Sequence, residues 1–395
     1  MLPASIFVTT SHEIDEQLLR RALELARDGI GLTSPNPAVG AVLADSKGEV
    51  IACGSHTYDG IKHAEIMAIE QAGERARGTT LYINLEPCSH QGRTPPCADA
   101  IIAAGIRRVV ACMTDPNPQV SGRGFERLRA AGVNAEKGIL EDEAKALNEA
   151  FANYIRRGVP LVTLKAAMTL DGKIAPPPGE SHNPSALGSG TAARGYITSE
   201  IARAHVHELR RQHDAILVGV GTVIADDPLL TDRSGHPRRR RLLRVILDSR
   251  LRLPLESRLV KTAQDDLLVL CSFAEEKKRK QLEKLGVMVE QIPQPTTAGH
   301  PDLEVVVKHL GERQITSLMI EGGAMVNWAA LDSGIVDKVL FYYAPKILAA
   351  KDAVPFSNGA GFAHLHEAAQ VKKIRLHQFG EDFAVEGYLK DPYEE

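Results

Sequence analysis

His63, Glu65, Cys88 and Cys97 are the residues of this chain whose types and spacing suit chemistry. A histidine with two cysteines is the ligand set of a catalytic zinc, because a closed structural site supplies a fourth protein ligand. Cys97 opens the helix predicted for "CADAIIAAG", where unpaired backbone N–H groups and the helix dipole favour thiolate over thiol. Pro96 suits that first turn, where its missing N–H costs nothing. Glu65, in "HAE", adds a proton carrier: hydrolysis at a zinc needs a group that takes a proton from water and passes it to the leaving group. Each residue alone has a plainer reading. A single His at a helix start is usually a cap or a core residue, and single Cys residues such as Cys53 and Cys112 in apolar strands are usually packing. The conjunction points to a catalytic zinc.

Zinc nucleobase deaminases carry H-x-E followed by P-C-x-x-C, with the Glu as acid/base and not a ligand. "HAE" and "PC" match, but the eight residues "SHQGRTPP" separate Cys88 from Cys97 instead of two. Residues two apart on a regular helix face nearly opposite ways, so His63 is expected at an irregular first turn.

The elements that position these residues follow from periodicity. Thr10 with Glu13 resembles a capping box, and Ile14, Leu18, Ala22 and Leu25 recur at helical spacing up to Gly29. "SPNPAVGAVLA" turns into a strand with "GEVIACGSH" as partner. A helix from about His63, the strand "TLYINL", the helix "CADAIIAAG", the strand "RRVVACM" and the helix "FERLRAAG" alternate after it. That alternation predicts an α/β sandwich with some parallel strands. One helix is predicted through "EDEAKALNEAFANYIRR", ending at Gly158 before Pro160, and this places a domain boundary near Arg157–Pro160.

A second α/β series begins with "LVTLKAA" and includes the strands "DAILVG", "RVILD", "DLLVLCS" and "SLMIEGG". "KVLFYYAPKIL" and "FAVEGYL" read as late antiparallel strands. Two strand-to-helix turns bear glycines: Gly219 and Gly221, with Thr222 opening a helix, and Gly322 and Gly323. Such turns expose N–H groups that suit phosphate, although Ile224 stands where a G-x-G-x-x-G motif needs its third glycine, and packing glycines explain them as well. The segment Pro176–Gly195, rich in Pro, Gly and Ser, is expected to be a mobile surface loop.

At 395 residues, two domains are the natural expectation. A formal net charge of −3 argues against nucleic acid or an anionic membrane as partner, and the basic run "HPRRRRLLR" reads as a solvated loop. No apolar run is long enough to span a bilayer, and the N-terminus has no signal-peptide pattern. Five scattered cysteines fit a reducing cytoplasm rather than a disulfide framework.

"TSPNPAVGAV", "HAE", "LEPCSHQGRTPPCADAI" and "RVVACMTDPNPQVSGRG" together resemble the pyrimidine deaminase family of riboflavin biosynthesis, a branch of the cytidine deaminase-like fold. "LVTLKAAMTLDGKIA", "GVGTVIADDPLLTDR", "RVILDSRLRLP" and "EGGAMVNWAAL" resemble the reductase fused to that deaminase, of dihydrofolate reductase-like fold. The resemblance implies a deaminase domain over residues 1–158, a cytidine deaminase-like α/β/α sandwich, and a reductase domain over 159–395. It implies zinc-dependent hydrolytic deamination of a diaminopyrimidinone bearing a ribosylamino 5′-phosphate, then NADPH-dependent reduction of that side chain to ribitylamino. His63, Cys88 and Cys97 would hold one Zn2+, with Glu65 catalytic. Asn36, His90, Arg93, Asp115 and Asn117 would surround the pyrimidine; turn chemistry around Pro explains Asn36, Asp115 and Asn117 equally well from spacing alone. Lys165, Asp171, Ser181, Arg210, Leu230, Arg233 and Glu321 would face the reductase substrate, with Ser189 as the alternative to Ser181. Ala167, Tyr196, Thr222, Asp226, Ser249 and Gly323 would face NADPH, Tyr196 standing where the family has Trp. A cytoplasmic homo-oligomer acting on a small phosphorylated substrate is expected, with no nucleic-acid or membrane partner.

Two competing readings make different predictions. A single-activity nucleoside or tRNA deaminase with an unrelated C-terminal domain fits poorly with the long Cys88–Cys97 loop and the low charge. A structural zinc module in an interaction protein would supply a fourth ligand and has no use for Glu65.

Overall fold

The computed structural model describes residues 11–177, 195–293 and 300–394. Its contacts divide the chain into two compact units, Met1–Arg157 and Gly158–Glu395. The capping residue Thr10 and both candidate serines, Ser181 and Ser189, lie outside the described residues, as does most of the Pro176–Gly195 insert.

In the first unit the elements run α1 (Ser11–Asp28), β1 (Gly40–Ala44), β2 (Val50–Ser55), α2 (Ala64–Ala72), β3 (Thr80–Leu85) and α3 (Cys97–Ala103). β4 (Arg108–Met113), α4 (Arg123–Ala130), β5 (Asn134–Lys137), α5 (Glu141–Leu147) and α6 (Glu149–Arg157) complete it. The sheet order is β2-β1-β3-β4-β5, with β1 antiparallel to β2 and β3, and β3, β4 and β5 parallel. Every residue of β1 and β3 is buried, as expected of strands covered on both faces rather than half-solvated ones. α1 contributes Leu18, Leu19, Ala22, Leu23 and Ala26 as its buried stripe. Gly54 matters for the site: a Cβ there would lie 2.0 Å from the Ala64 carbonyl oxygen, so only glycine lets the start of α2 seat on β2.

Two features differ from expectation. β5 is a short edge strand with mostly exposed residues, and its pattern "NAEK" carries no apolar alternation. The helix predicted through residues 141–157 is interrupted at Asn148, with φ −112° and ψ 17°. Its buried side chain pairs instead with the backbone of Ala38: the Ala38 N–H donates to Oδ1 at 2.8 Å, and Nδ2 donates to the Ala38 carbonyl at 3.1 Å. Satisfying a buried peptide group outweighs one regular turn of helix.

The second unit runs β6 (Leu161–Thr169), β7 (Lys173–Ala175), α7 (Glu200–Gln212), β8 (Ala215–Gly219), α8 (Val220–Asp226) and β9 (Leu243–Leu247). Next come α9 (Arg258–Lys261), β10 (Leu267–Cys271), α10 (Glu276–Lys284), β11 (Met288–Gln291), α11 (Leu303–Glu312) and β12 (Ser317–Ile320). α12 (Ala324–Asp332), β13 (Lys338–Ala344), β14 (Val354–Pro355), β15 (Lys372–Phe379) and β16 (Asp382–Tyr388) follow. Its main sheet has the order β11-β10-β9-β8-β12-β6-β13-β16-β15. Strands β11 to β13 in that order are parallel, and β16 and β15 add antiparallel. Alternate residues feed two cores: Ala215, Leu217, Leu318 and Ile320 on one face, Ile216, Val218 and Met319 on the other.

β13 was expected as antiparallel; it pairs antiparallel with β16 but parallel with β6, because it joins the parallel half of the sheet to the late hairpin. α8 begins at Val220 with Gly219 as its cap residue, so Thr222 lies within the first turn rather than opening it. The chain leaves β6, builds β8 to β11 outward, then returns to insert β12 between β8 and β6. A reversal of this kind opens a crevice at the C-terminal strand ends, where open α/β sheets bind ligands.

The basic run has a structural task. Arg238 donates to the carbonyls of Arg210, Arg211 and His213 at 2.7, 2.9 and 2.6 Å, and pairs with Asp232 at 3.3 Å. It thereby satisfies the orphan carbonyls at the end of α7.

Candidate active sites

His63 caps α2 in an extended conformation, φ −75° and ψ 157°, and Glu65 lies in the first turn. β3 ends just before Cys88, and α3 begins at Cys97, so three elements deliver the three donors. His63 Nδ1 lies 3.2 Å from Cys97 Sγ and 3.6 Å from Cys88 Sγ, and the three donor atoms all fall within 4.8 Å of one another. Among the described residues no other cluster of His, Cys, Asp and Glu has this geometry. Two sulfurs and an imidazole nitrogen converging in this way fit a zinc ion and leave one tetrahedral position for water.

The electrostatics are those of a site built around a cation. Hydrogen bonding from Cys97 brings the Cys88 thiol down to about 4, aided by His63 and by the Cys97 backbone N–H, which donates at 3.3 Å. The proton shared with Cys88 holds the Cys97 thiol far above its usual range. Glu65 is 3% exposed, and burial pushes its carboxyl up to about 7, with the Cys88 charge adding to the effect. That is the range in which a carboxyl both takes and gives a proton near neutrality.

The other expected residues divide into groups. Asn36 Nδ2 donates to Nε2 of His56 at 3.1 Å, and that ring meets His63 edge-on with centroids 5.4 Å apart. The Arg93 guanidinium stacks on the Tyr58 ring at 4.5 Å. Asp115 is buried, and burial first, then the charges of Glu86, Cys88 and Glu65, lift its carboxyl to about 7. The Asn117 N–H donates to Asp115 Oδ1 at 2.8 Å. His90 is exposed on the Cys88–Cys97 loop.

At the C-terminal ends of the second sheet, Glu321 accepts from Arg210 Nε at 2.8 Å and Nη2 at 3.1 Å, and from Lys165 Nζ at 3.3 Å. The triad is about one-eighth exposed at each member. Although burial opposes it, the two cations hold the Glu321 carboxyl far below its usual range. Lys165 Nζ also lies over the Tyr342 ring at 5.7 Å, and Ala167 pairs with Tyr342 across β6 and β13. A Cβ at Gly323 would come within 3.3 Å of Thr222 Oγ1, so the two glycine-bearing turns abut. Ser249 follows β9, with its hydroxyl 2.8 Å from His300 Nδ1, and Asp226 ends α8. Leu230 is buried at φ 52°, and the Arg233 Nε donates to Thr231 Oγ1 at 3.3 Å. The Asp171 carboxylate accepts from Thr169 Oγ1, Leu348 N and Ala349 N, which brings its carboxyl down to about 2. Tyr196 is half exposed, with the Arg203 guanidinium 4.2 Å over its ring.

Sequence reasoning passed over His56 and Glu86. Both are polar residues at the ends of strands, in "GSH" and "NLEPC", and an acid closing an apolar run is the signal that marks Glu86.

The family model for the cytidine and deoxycytidylate deaminase zinc-binding region matches residues 12–113, and that for the RibD C-terminal domain matches residues 160–385. The riboflavin biosynthesis protein RibD of Actinobacillus pleuropneumoniae is 41% identical over 392 residues, covering 99% of each chain. That of Aquifex aeolicus is 41% identical over 373 residues, 94% of this chain and 98% of the relative. Among solved structures, Acinetobacter baumannii RibD is 36% identical with a TM-score of 0.80, covering 95% of this chain and 99% of that one. The diaminohydroxyphosphoribosylaminopyrimidine deaminase/5-amino-6-(5-phosphoribosylamino)uracil reductase of Thermotoga maritima is 36% identical with a TM-score of 0.78, covering 96% and 99%.

Proposed function

Because this chain belongs to the RibD family, the bifunctional deaminase/reductases of riboflavin biosynthesis, we propose that its two units perform two consecutive steps on one phosphorylated pyrimidine. The first unit, Met1–Arg157, removes an amino group from 2,5-diamino-6-(5-phosphoribosylamino)pyrimidin-4(3H)-one. The second, Gly158–Glu395, reduces the ribosylamino side chain of the product. The convergence of His63, Cys88 and Cys97 beside the buried Glu65 is the observation that carries the first half.

His63, Cys88 and Cys97 would hold the zinc. A zinc ion bound there supplies the Lewis acidity that makes water nucleophilic at neutral pH. Glu65 takes one proton as water adds to the ring carbon and delivers it to the departing nitrogen, and the added hydroxyl's proton ends on the ring nitrogen, so ammonia leaves and a carbonyl remains. Asn36, Asp115 and Asn117 orient the pyrimidine, while His90 and Arg93 on the interrupted loop meet the ribose phosphate.

For the second reaction, NADPH bound in this unit would be the hydride source for reduction at C1′ of the ring-opened imine. Ala167, Tyr196, Thr222, Asp226, Ser249 and the turn at Gly323 would face the cofactor. Lys165, Asp171, Arg210, Leu230, Arg233 and Glu321 would face the substrate; the serine position, Ser181 or Ser189, lies outside the described residues. Lys165, whose Nζ lies 3.3 Å from Glu321 Oε2, would give the proton that the imine nitrogen gains. We place the enzyme in the cytoplasm as a homo-oligomer without nucleic-acid or membrane partners. No helix of the described residues is long and apolar enough to cross a membrane, and the edge strand β15 turns Ile374 and Leu376 outward.

Glu65→Gln tests the division of labour. The variant is expected to bind zinc and lose ammonia release, yet to oxidise NADPH with deaminated substrate. Loss of both activities with zinc retained contradicts two independent sites.

A further inference from the structure

We infer that Glu86 is a positioning residue of the deaminase site: its carboxylate fixes the loop bearing Asp115 and Asn117, and the start of α4, to the turn that presents Cys88. The residue follows β3 and is 3% exposed. Its Oε2 accepts from the backbone N–H groups of Asp115 at 3.1 Å and Gly122 at 2.9 Å. Its Oε1 accepts from Gly124 at 2.8 Å and Phe125 at 3.3 Å. The cap residue of α4, Gly122, is left-handed and has no side chain to offer, so a carboxylate from another element satisfies the orphan N–H groups of this helix.

The junction is tight as well as polar. A Cβ at Gly124 would meet the Pro87 carbonyl oxygen at 2.1 Å and Glu86 Oε1 at 3.0 Å. From Glu86 the hydrogen bonds continue outward: Asp115 N–H to Glu86, Asn117 N–H to Asp115 Oδ1 at 2.8 Å, and Gln119 N–H to Asn117 Oδ1 at 3.0 Å. One side chain therefore joins the metal-ligand turn to the loop expected to meet the pyrimidine. Four donors surround two oxygens, a demand that a carboxylate meets and an amide does not, since its NH2 faces two of the N–H groups.

The inference rests on the reading that Asp115 and Asn117 contact the pyrimidine, and one set of measurements separates the two. Deamination kinetics are taken on the zinc-loaded full chain for Glu86→Gln, Gly124→Ala and Asn117→Ala, with zinc content measured in each. Glu86→Gln and Gly124→Ala are expected to raise KM about tenfold, the equivalent of roughly one lost hydrogen bond. Turnover per bound zinc stays within about twofold, since neither residue touches the reacting atoms. A wild-type KM in Glu86→Gln, or a loss that only follows missing zinc, makes Glu86 a helix cap and overturns the inference. Should Glu86→Gln not fold, Gly124→Ala carries the same comparison. An unchanged KM in Asn117→Ala overturns the substrate-loop reading instead.

Discussion

His63 and Glu65 are separated by one residue, yet they serve one site because the backbone changes conformation between them: His63 is extended and Glu65 is helical. On a continuous helix the two side chains would diverge. Moving the start of α2 by one residue would therefore separate the Glu65 carboxyl from the cluster of His63, Cys88 and Cys97. Gly54, against which Ala64 packs, fixes that start.

Replacing Cys88 or Cys97 by Ser removes one of three donors. Ammonia release is expected to fall more than about a hundredfold together with zinc content, while NADPH oxidation with deaminated substrate persists. A metal analysis paired with both assays checks this, and a chelator should reproduce the pattern in the unaltered protein.

The Glu321 carboxyl is held below its ordinary value of 4.5, so its contribution to stability is complete above about pH 4.5 and declines as pH falls below it. Glu321→Gln strands Lys165 and Arg210 and should cost about 3–5 kcal/mol at neutral pH. Denaturant unfolding from pH 7 to pH 3 should show the gap between variant and wild type narrowing as acid is added. A gap that widens contradicts the assigned direction.

The stack of Arg93 on Tyr58 makes a graded prediction. Tyr58→Phe keeps the ring face and should leave KM near wild type. Tyr58→Leu should raise it about two- to fivefold, the value of an exposed cation–π contact. A dephosphorylated substrate should show no such difference between the variants.

Arg238→Ala is expected to destabilise the protein by about 2 kcal/mol through the freed carbonyls at the end of α7. The salt dependence of the reductase KM should stay unchanged. A flattened salt dependence at wild-type stability would favour an electrostatic role for the basic run instead.

The parts of this protein that were legible in the sequence are those written locally. H-x-E, the P-C pair and a Cys after Pro-Pro each lie within a few residues, and apolar periodicity predicted most strands and helices. What stayed hidden depends on distant pairs. Asn148 reaches Ala38 across 110 residues, Glu86 reaches Gly124 across 38, and His56 meets Asn36 across 20. Each is a polar side chain bonded to a separate segment of the chain, and its partner has no local trace. The parallel pairing of β13 was missed for the same reason, since β6 lies far upstream.

The central claim, that one chain carries out both reactions, is tested most directly by supplying the diaminopyrimidinone ribotide and NADPH to the zinc-loaded protein. Ammonia and NADPH are then followed together. The account predicts that one NADPH is consumed for each ammonia released, with ammonia leading. Ammonia release without subsequent NADPH consumption would contradict it.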